Sequence, residues 1–169
     1  PIFGMDRYQY QYISDNFPND IEYSKDHIKI FTVDIECACE NGFPDVENPI
    51  EEILAITVKN QSNKQIITWG TGEFKTDRPD VTYIRCKSEK SLIMEFMKFW
   101  IKNYPDIITG WNTKFFDIPY LMNRICHIVD EKVIKRFSPW NLVERESIVV
   151  RGRPPVSYTH LRAHETSDY

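Results

Sequence analysis

Hydrophobic residues recur along the first half of the chain in short runs that predict β-strands. Residues 28–36 (IKIFTVDIE) are rich in β-branched and aromatic side chains and are bounded by polar residues, which is typical of a core strand. Residues 53–59 and 65–69 have the same character, and the polar stretch 60–64 between them predicts a hairpin. Residues 81–86 predict a further extended segment.

The spacing of apolar residues then changes to that of helices. Residues 92–100 follow Ser88, a candidate N-cap, and place apolar side chains on one helical face. After a short apolar strand at residues 106–111, residues 118–129 repeat the helical pattern, with Pro119 in the first turn, where its missing N–H costs little. This order of elements is that of the ribonuclease H-like α/β fold with a mixed sheet, although many α/β domains share it.

The composition favours one soluble domain. The chain has 169 residues, of which 41% are hydrophobic, so it can bury one core but is short for an enzyme of several domains. A net charge of -4 argues against a protein that holds nucleic acid mainly through a lysine- and arginine-rich surface. No apolar run approaches the ~20 residues that span a bilayer, and the N-terminus lacks a signal pattern, so we expect a cytoplasmic protein with no membrane partner.

The chain is expected to divide into three parts. Residues 1–29 are rich in Tyr, Asp and Asn and look like the end of a preceding domain, and residues 30–155 form the α/β domain. Residues 156–169 contain VSYTHLRAHET, which resembles the translation of a sequencing adapter. We therefore expect a non-native tail that packs against nothing. If the tail is genuine, His160 and His164 at helical spacing could hold zinc.

Two carboxylates lie close together on the first predicted strand. Asp34 and Glu36 are two positions apart, so both side chains project from the same face. Neighbouring carboxylates repel each other unless cations are supplied, and oxygen ligands suit Mg²⁺ or Mn²⁺. Such a pair could hold two ions around a phosphate. The spacing alone leaves open that Thr32, Asp34 and Glu36 simply form the solvent-exposed face of the strand.

A third acid, Asp117, precedes the second predicted helix. Aspartate at this position is a good N-cap, so capping is one interpretation. Its context favours another, because residues 110–112 end a strand and ligand sites in open α/β sheets collect at strand ends. We expect Asp117 to converge with Asp34 and Glu36 on one concave site.

These acids lie in segments that resemble a known family. Residues 34–36 (DIE) resemble the first exonuclease motif of family B DNA polymerases, and residues 110–120 (GWNTKFFDIPY) resemble the second. Residues 42–44 (GFP) and 122–124 (MNR) are similar to the T4-like bacteriophage branch of that family. The likeness runs through most of residues 13–150.

The resemblance implies a two-metal exonuclease site that uses Mg²⁺ or Mn²⁺. Asp34 would bridge both ions, Glu36 would bind the ion that activates water, and Asp117 would hold the second ion. All three would be catalytic residues and metal ligands.

Two more residues would contact the substrate. Phe43 would lie beside the unpaired 3′ end of the DNA, and Asn112 would help to position the primer strand or the metal site. The residues themselves leave open that Phe43 closes over the core and that Asn112 makes strand-end hydrogen bonds. We expect Trp111 and Phe116 in the core.

The third motif of the family, Tyr-x-x-x-Asp, does not occur in this sequence, and neither do the palm and fingers motifs. The resemblance therefore implies a fragment of a DNA-directed DNA polymerase. Residues 1–29 would end its N-terminal domain, and residues 30–155 would form a 3′-to-5′ exonuclease domain that is truncated at the C-terminus and inactive alone. The implied partners are a single-stranded 3′ end, a primer-template and replisome proteins such as a sliding clamp.

Two other functions stay open at this point. A free-standing exonuclease of the Asp-x-Glu superfamily, acting on DNA or RNA, would begin near the Asp34 strand and end with a His-x-x-x-x-Asp or Tyr-x-x-x-Asp helix. A polymerase-like module could instead keep the exonuclease fold as an inactive scaffold. The presence of Asp34, Glu36 and Asp117 argues against the scaffold.

Overall fold

Six strands form one mixed sheet in the computed structural model, which describes residues 8–19, 22, 24–141, 143–144, 149–150 and 155–157. The strands are β1 (Ile30–Cys37), β2 (Ile53–Asn60), β3 (Ile66–Gly70), β4 (Val81–Arg85), β5 (Ile107–Gly110) and β8 (Pro155–Ser157). Their order across the sheet is β4-β3-β2-β1-β5-β8. β1, β2 and β3 are antiparallel neighbours, whereas the β3–β4, β1–β5 and β5–β8 pairs are parallel. The predicted α/β fold with a mixed sheet is confirmed.

Helices cover this sheet within the part of the chain that the structure describes. Helix α2 (Glu89–Asn103) packs on β2 and β3, and α3 (Asp117–Ile128) packs on β1. None of the described helices is long and apolar enough to cross a membrane. The helices are α1 (Tyr8–Asn16), α2 (Glu89–Asn103), α3 (Asp117–Ile128) and α4 (Glu131–Lys135), and a separate ribbon consists of β6 (Val143–Glu144) and β7 (Val149–Val150).

Strand β1 separates the core from a polar face. Phe31, Val33 and Ile35 are buried and belong to the hydrophobic cluster that includes α2 and α3. Asp34 and Glu36 alternate with them and are solvent-exposed. This alternation follows from the two-residue period of a strand, so the prediction that both acids share one face is confirmed.

Helix α2 begins where the sequence predicts. The Ser88 side chain accepts the Ser91 N–H, and the Ser91 side chain accepts the Ser88 N–H, which together form a capping box. Trp100 is fully buried, and its indole Nε1 donates to the carbonyl of Phe137 at 2.9 Å. The apolar face of α2 is therefore buried in the core, as the spacing of its apolar residues indicates.

Helix α1 was not predicted from the sequence. All of its described side chains are solvent-exposed, among them Tyr8, Tyr10, Tyr12 and Ile13. A helix with no buried face has no apolar stripe for a pattern to reveal. It lies within residues 1–29, whose assignment to a preceding domain stays a prediction.

The segment at the end of the chain differs in part from the expectation. Val156 and Ser157 pair with Thr109 and Gly110 in parallel register, so the expectation that residues from Val156 onward pack against nothing is wrong for these two. Backbone groups at the edge of β5 can bind a passing strand whatever its side chains are. The remainder of the expected tail, residues 158–169, lies outside the described residues, and its non-native origin stays a prediction.

Candidate active site

The two acids of β1 lie near the carboxyl end of a parallel strand pair. β5 pairs with β1 from Ile30 to Thr32 and ends at Gly110. Asp34 and Glu36 therefore extend past the part of β1 that β5 covers. Such strand ends are where open α/β sheets usually place their ligands.

Asp117 reaches the same part of β1 from the start of α3. It is only 3% exposed, and its Oδ1 accepts the backbone N–H of Ile35 at 3.2 Å. Ile35 is the residue between the two other acids, so the three carboxylates surround one short segment of β1. The N-cap of α3 is Phe116, with no side-chain capping bond. The interpretation of Asp117 as an N-cap is therefore wrong.

The electrostatics of the acids indicate a site that favours cations. Burial, and then the negative charges of Asp34 and Glu36, raise the pKa of Asp117 to about 6, against the lowering effect of the Ile35 N–H. Asp34 stands on the exposed face, yet partial desolvation of its carboxylate raises its pKa as well. Each carboxylate makes ionisation of Asp117 harder, and a bound cation would reverse that effect.

The three acids do not form a closed metal cage. Among the described residues, no three His, Cys, Asp or Glu side chains are already gathered closely enough to hold a metal ion. Mg²⁺ usually keeps several waters and binds through only one or two carboxylates. An oxygen-only, partly exposed set of acids fits hydrated Mg²⁺ or Mn²⁺ better than it fits zinc, which prefers nitrogen and sulfur.

Gly110 lets the turn before α3 pack against β1. A Cβ atom at this position would collide with the Thr113 hydroxyl and with the backbone carbonyl of Val33. Only glycine avoids both contacts. The close approach brings the segment that ends in Asp117 to the edge of β1.

Asn112 shapes the same turn. It has a left-handed backbone conformation, with φ at 56°, which Asn tolerates better than most residues. Its carbonyl accepts the N–H groups of Phe115 and Phe116, both at 2.9 Å. Hydrogen bonding at the end of a strand is thus present, while the contact of Asn112 with a primer strand stays a prediction.

Of the three aromatic residues considered around the site, Trp111 is placed differently from the expectation. Phe43 is 84% exposed, and its ring centroid lies 5.3 Å from that of Phe116, so it does not close over the core. Phe116 is half-buried and packs against the core, as expected. Trp111 is 51% exposed, and its expected place in the core is wrong because the chain turns away from the sheet directly after Gly110.

Sequence reasoning missed a set of polar side chains on α3 that hold the segment between β1 and β2. Tyr120, Asn123 and Arg124 bind backbone carbonyls of that segment, and Arg124 also forms a buried ion pair with Glu89. The available signal was Arg124 itself, a charged residue within an apolar helical repeat, where charge is rarely buried unless it is paired.

Comparison with known proteins gives one consistent family. Residues 4–158 match the family described as DNA polymerase family B, exonuclease domain. The DNA-directed DNA polymerase of Escherichia phage RB69 is 32% identical over 161 residues, which cover 80% of this chain and 18% of that protein. The corresponding enzyme of Enterobacteria phage T4 is 31% identical over 170 residues, which cover 86% of this chain and 19% of the relative.

A cellular relative shows the same relationship. The DNA polymerase delta catalytic subunit of Dictyostelium discoideum is 38% identical over 163 residues, covering 83% of this chain and 15% of that subunit. The chain thus spans less than a fifth of the length of each of these three relatives. Because the family match extends over nearly all of the chain, this protein belongs to DNA polymerase family B, within the exonuclease domain.

Proposed function

We propose that this chain carries the proofreading 3′-to-5′ exonuclease site of a DNA-directed DNA polymerase, which removes mispaired nucleotides from a primer end. The observation that carries the proposal is the convergence of Asp34, Glu36 and Asp117 around the backbone of Ile35. Membership of the family supports the same reaction.

Each acid has a distinct part in the proposed reaction. Two divalent ions, Mg²⁺ or Mn²⁺, would supply a hydroxide and stabilise the leaving oxygen. Asp34 would bind both ions and Glu36 would bind the ion that activates water, both from the exposed face of β1. Asp117 would bind the second ion from the buried side, where its bond to Ile35 fixes its orientation. Ionisation of Asp117 and cation binding favour each other, so metal affinity increases as the pH rises through about 6.

The substrate is a single-stranded 3′ end of DNA. The exposed ring of Phe43 provides a face on which a terminal base can stack, a contact that tolerates any base. Asn112 helps to position the primer strand. A primer-template and replisome proteins such as a sliding clamp are the proposed partners of the whole polymerase.

The chain alone hydrolyses DNA poorly in this proposal. The Tyr-x-x-x-Asp motif of the family does not occur in it, so the ion that activates water would have one carboxylate ligand fewer. Loss of one such group costs on the order of 10²-fold or more, by analogy with other preorganised charge stabilisers. Full activity therefore belongs to the full-length protein.

The test compares primer shortening with primer extension in the full-length protein that carries this chain. We expect Asp34→Ala combined with Glu36→Ala to abolish removal of a mispaired 3′ end and to leave nucleotide incorporation nearly intact. The control is a separate variant in which two other exposed acids are removed, Glu73→Ala combined with Asp77→Ala. This variant should leave shortening unchanged. Both reactions are followed on one labelled mismatched duplex.

Four outcomes would contradict the proposal in different ways. Undiminished shortening by the double variant would refute the role of the two acids. An equal loss of extension would mean that Asp34 and Glu36 support folding. A protein that shortens primers but never extends them would be a free-standing exonuclease, and one that does neither would be a scaffold.

A further inference from the structure

A long connection between β1 and β2, here called the β1–β2 loop (residues 38–52), contains no helix or strand of its own. Loops longer than about 12 to 15 residues without secondary structure are uncommon, and they are usually functional or disordered. This loop starts next to the acids of β1 and carries Phe43. Its ordering therefore bears directly on the proposed site.

One face of α3 holds the second half of the loop. The Tyr120 hydroxyl donates to the carbonyl of Glu51 at 2.7 Å, and the Asn123 amide donates to that of Val46 at 2.8 Å. Arg124 Nη1 donates to two further loop carbonyls, at 2.8 and 2.9 Å. Residues 120, 123 and 124 are three and four positions apart, so they share a helical face.

The end of the loop is also fixed to α2. Arg124 binds both carboxylate oxygens of Glu89, each at 2.7 Å, and the same carboxylate accepts the backbone N–H of Ile53 at 2.8 Å. The ion pair is buried, with both side chains less than a tenth exposed. The start of β2 is therefore held by both helices.

The first half of the loop is tied to this anchored half. The Glu51 carboxylate accepts the backbone N–H of Glu40 at 3.3 Å and that of Asn41 at 2.9 Å, and the Asn41 amide donates to it at 2.8 Å. Gly42 and Phe43 follow at once. The position of the Phe43 backbone thus depends on Glu51, whose own carbonyl is held by Tyr120.

The rings give a second connection between Tyr120 and Phe43. Tyr120 stacks on Phe116 with centroids 5.4 Å apart, and Phe116 contacts Phe43 at 5.3 Å. Tyr120 therefore supports Phe43 through the aromatic contact as well as through the loop.

We propose that Tyr120 and Asn123 are positioning residues of the exonuclease site, which act through the β1–β2 loop to hold Phe43 in place for the terminal base of a single strand. The inference rests on the proposed function. When a contact residue is already held in its bound conformation, less conformational entropy is lost on binding. The ring of Phe43 is 84% exposed, so one of its faces is accessible to a base.

The test uses the full-length protein with Tyr120→Phe and Asn123→Ala combined. We expect KM for a single-stranded 3′ end to rise about five- to tenfold, comparable to weakening one base–aromatic stack, with kcat nearly unchanged. A 2-aminopurine at the 3′ terminus, bound in Ca²⁺ so that it is not hydrolysed, should lose part of its stacking-dependent quenching. Phe43→Ala alone should raise KM in the same way.

A double-mutant cycle separates positioning from general stability. In a Phe43→Ala background, the Tyr120 and Asn123 changes should raise KM no further, because their effect passes through Phe43. The matched control is Tyr104→Phe, which removes a tyrosine hydroxyl bonded at 2.6 Å to the Arg136 carbonyl beyond the far end of α2. This control should leave KM unchanged.

Several results would overturn the proposal. They are an unchanged KM in the Tyr120/Asn123 variant, a KM that rises equally in the Phe43→Ala background, or a fall in kcat alone. If the combined variant does not fold, Tyr120→Phe alone enters the same cycle, since it keeps the ring that stacks on Phe116. If the unsubstituted protein does not shorten primers, the proposed function is refuted as well. If it shortens primers normally but the effects of the Phe43 and Tyr120/Asn123 changes on KM are additive, only this inference is refuted.

Discussion

At the scale of single residues, Asp117 combines a stabilising and a destabilising contribution. Its Oδ1 accepts the Ile35 N–H, which joins the start of α3 to β1. Its burial and its acidic neighbours raise its pKa from 3.8 to about 6. The folded chain therefore binds this proton more tightly than the unfolded chain does, so loss of the proton lowers the free energy of unfolding.

Without metal, the free energy of unfolding should fall as the pH rises from about 4 through about 6, because the unfolded chain then releases the proton first. The loss is on the order of 3 kcal/mol, from a shift of about two units at 1.36 kcal/mol each. Asp117→Asn keeps an acceptor for Ile35 and removes the charge. In EDTA, this variant should be more stable than the wild type at pH 7.5 and should have a flatter pH profile in urea unfolding. An equally steep profile in the variant would assign the dependence to other groups.

Gly110 provides a second test at this scale. Gly110→Ala should destabilise the chain by about 1 to 3 kcal/mol, because the new methyl group meets the Val33 carbonyl, which belongs to the backbone of β1 and cannot move aside easily. Gly72→Ala is the control, since a Cβ at that position meets nothing within 4 Å. Urea unfolding of both variants measures the difference. Equal stability of the two would show that the turn relaxes freely.

At the scale of elements, the ion pair between Arg124 and Glu89 connects α3 with α2. Arg124→Met should cost about 3 to 5 kcal/mol, because it leaves the Glu89 carboxylate buried without its partner. Arg78→Met removes one partner of an exposed pair with Asp80 and should cost far less, because solvent screens that pair. Denaturant unfolding distinguishes these values. A small loss at Arg124 would mean that water enters and solvates Glu89.

At the scale of the whole molecule, the short strand β8 completes the sheet at its edge. A chain that ends at Ser157 should melt at the same temperature as the 169-residue chain, since the remaining residues are expected to be non-native. A chain that ends at residue 154 should melt lower, because it loses the pairing of Val156 and Ser157 with β5. Thermal melting of the three chains is the measurement. Identical melting points for all of them would show that β8 contributes nothing to stability.

Most elements of this fold were predictable because their signals are local. The alternation of residues 30–37 predicts β1, and Ser88 predicts the start of α2 through a hydrogen bond to a residue three positions away. Helix α1 lacks an apolar face, and β8 depends on the free edge of β5, so neither has a local signal. Trp111 was expected in the core because it is large and apolar, but only the direction of the chain after Gly110 decides its exposure.

The sequence by itself determined that Asp34 and Glu36 share one face of a strand, because that depends only on the two-residue period of extended backbone. Its motifs also indicated the family. Only the tertiary structure decided that Asp117 joins them by binding Ile35, 82 positions away in the chain, and that Tyr120 and Asn123 hold the β1–β2 loop. Contacts across such separations depend on how helices pack on the sheet. That packing is set by the whole core, and no short stretch of sequence contains it.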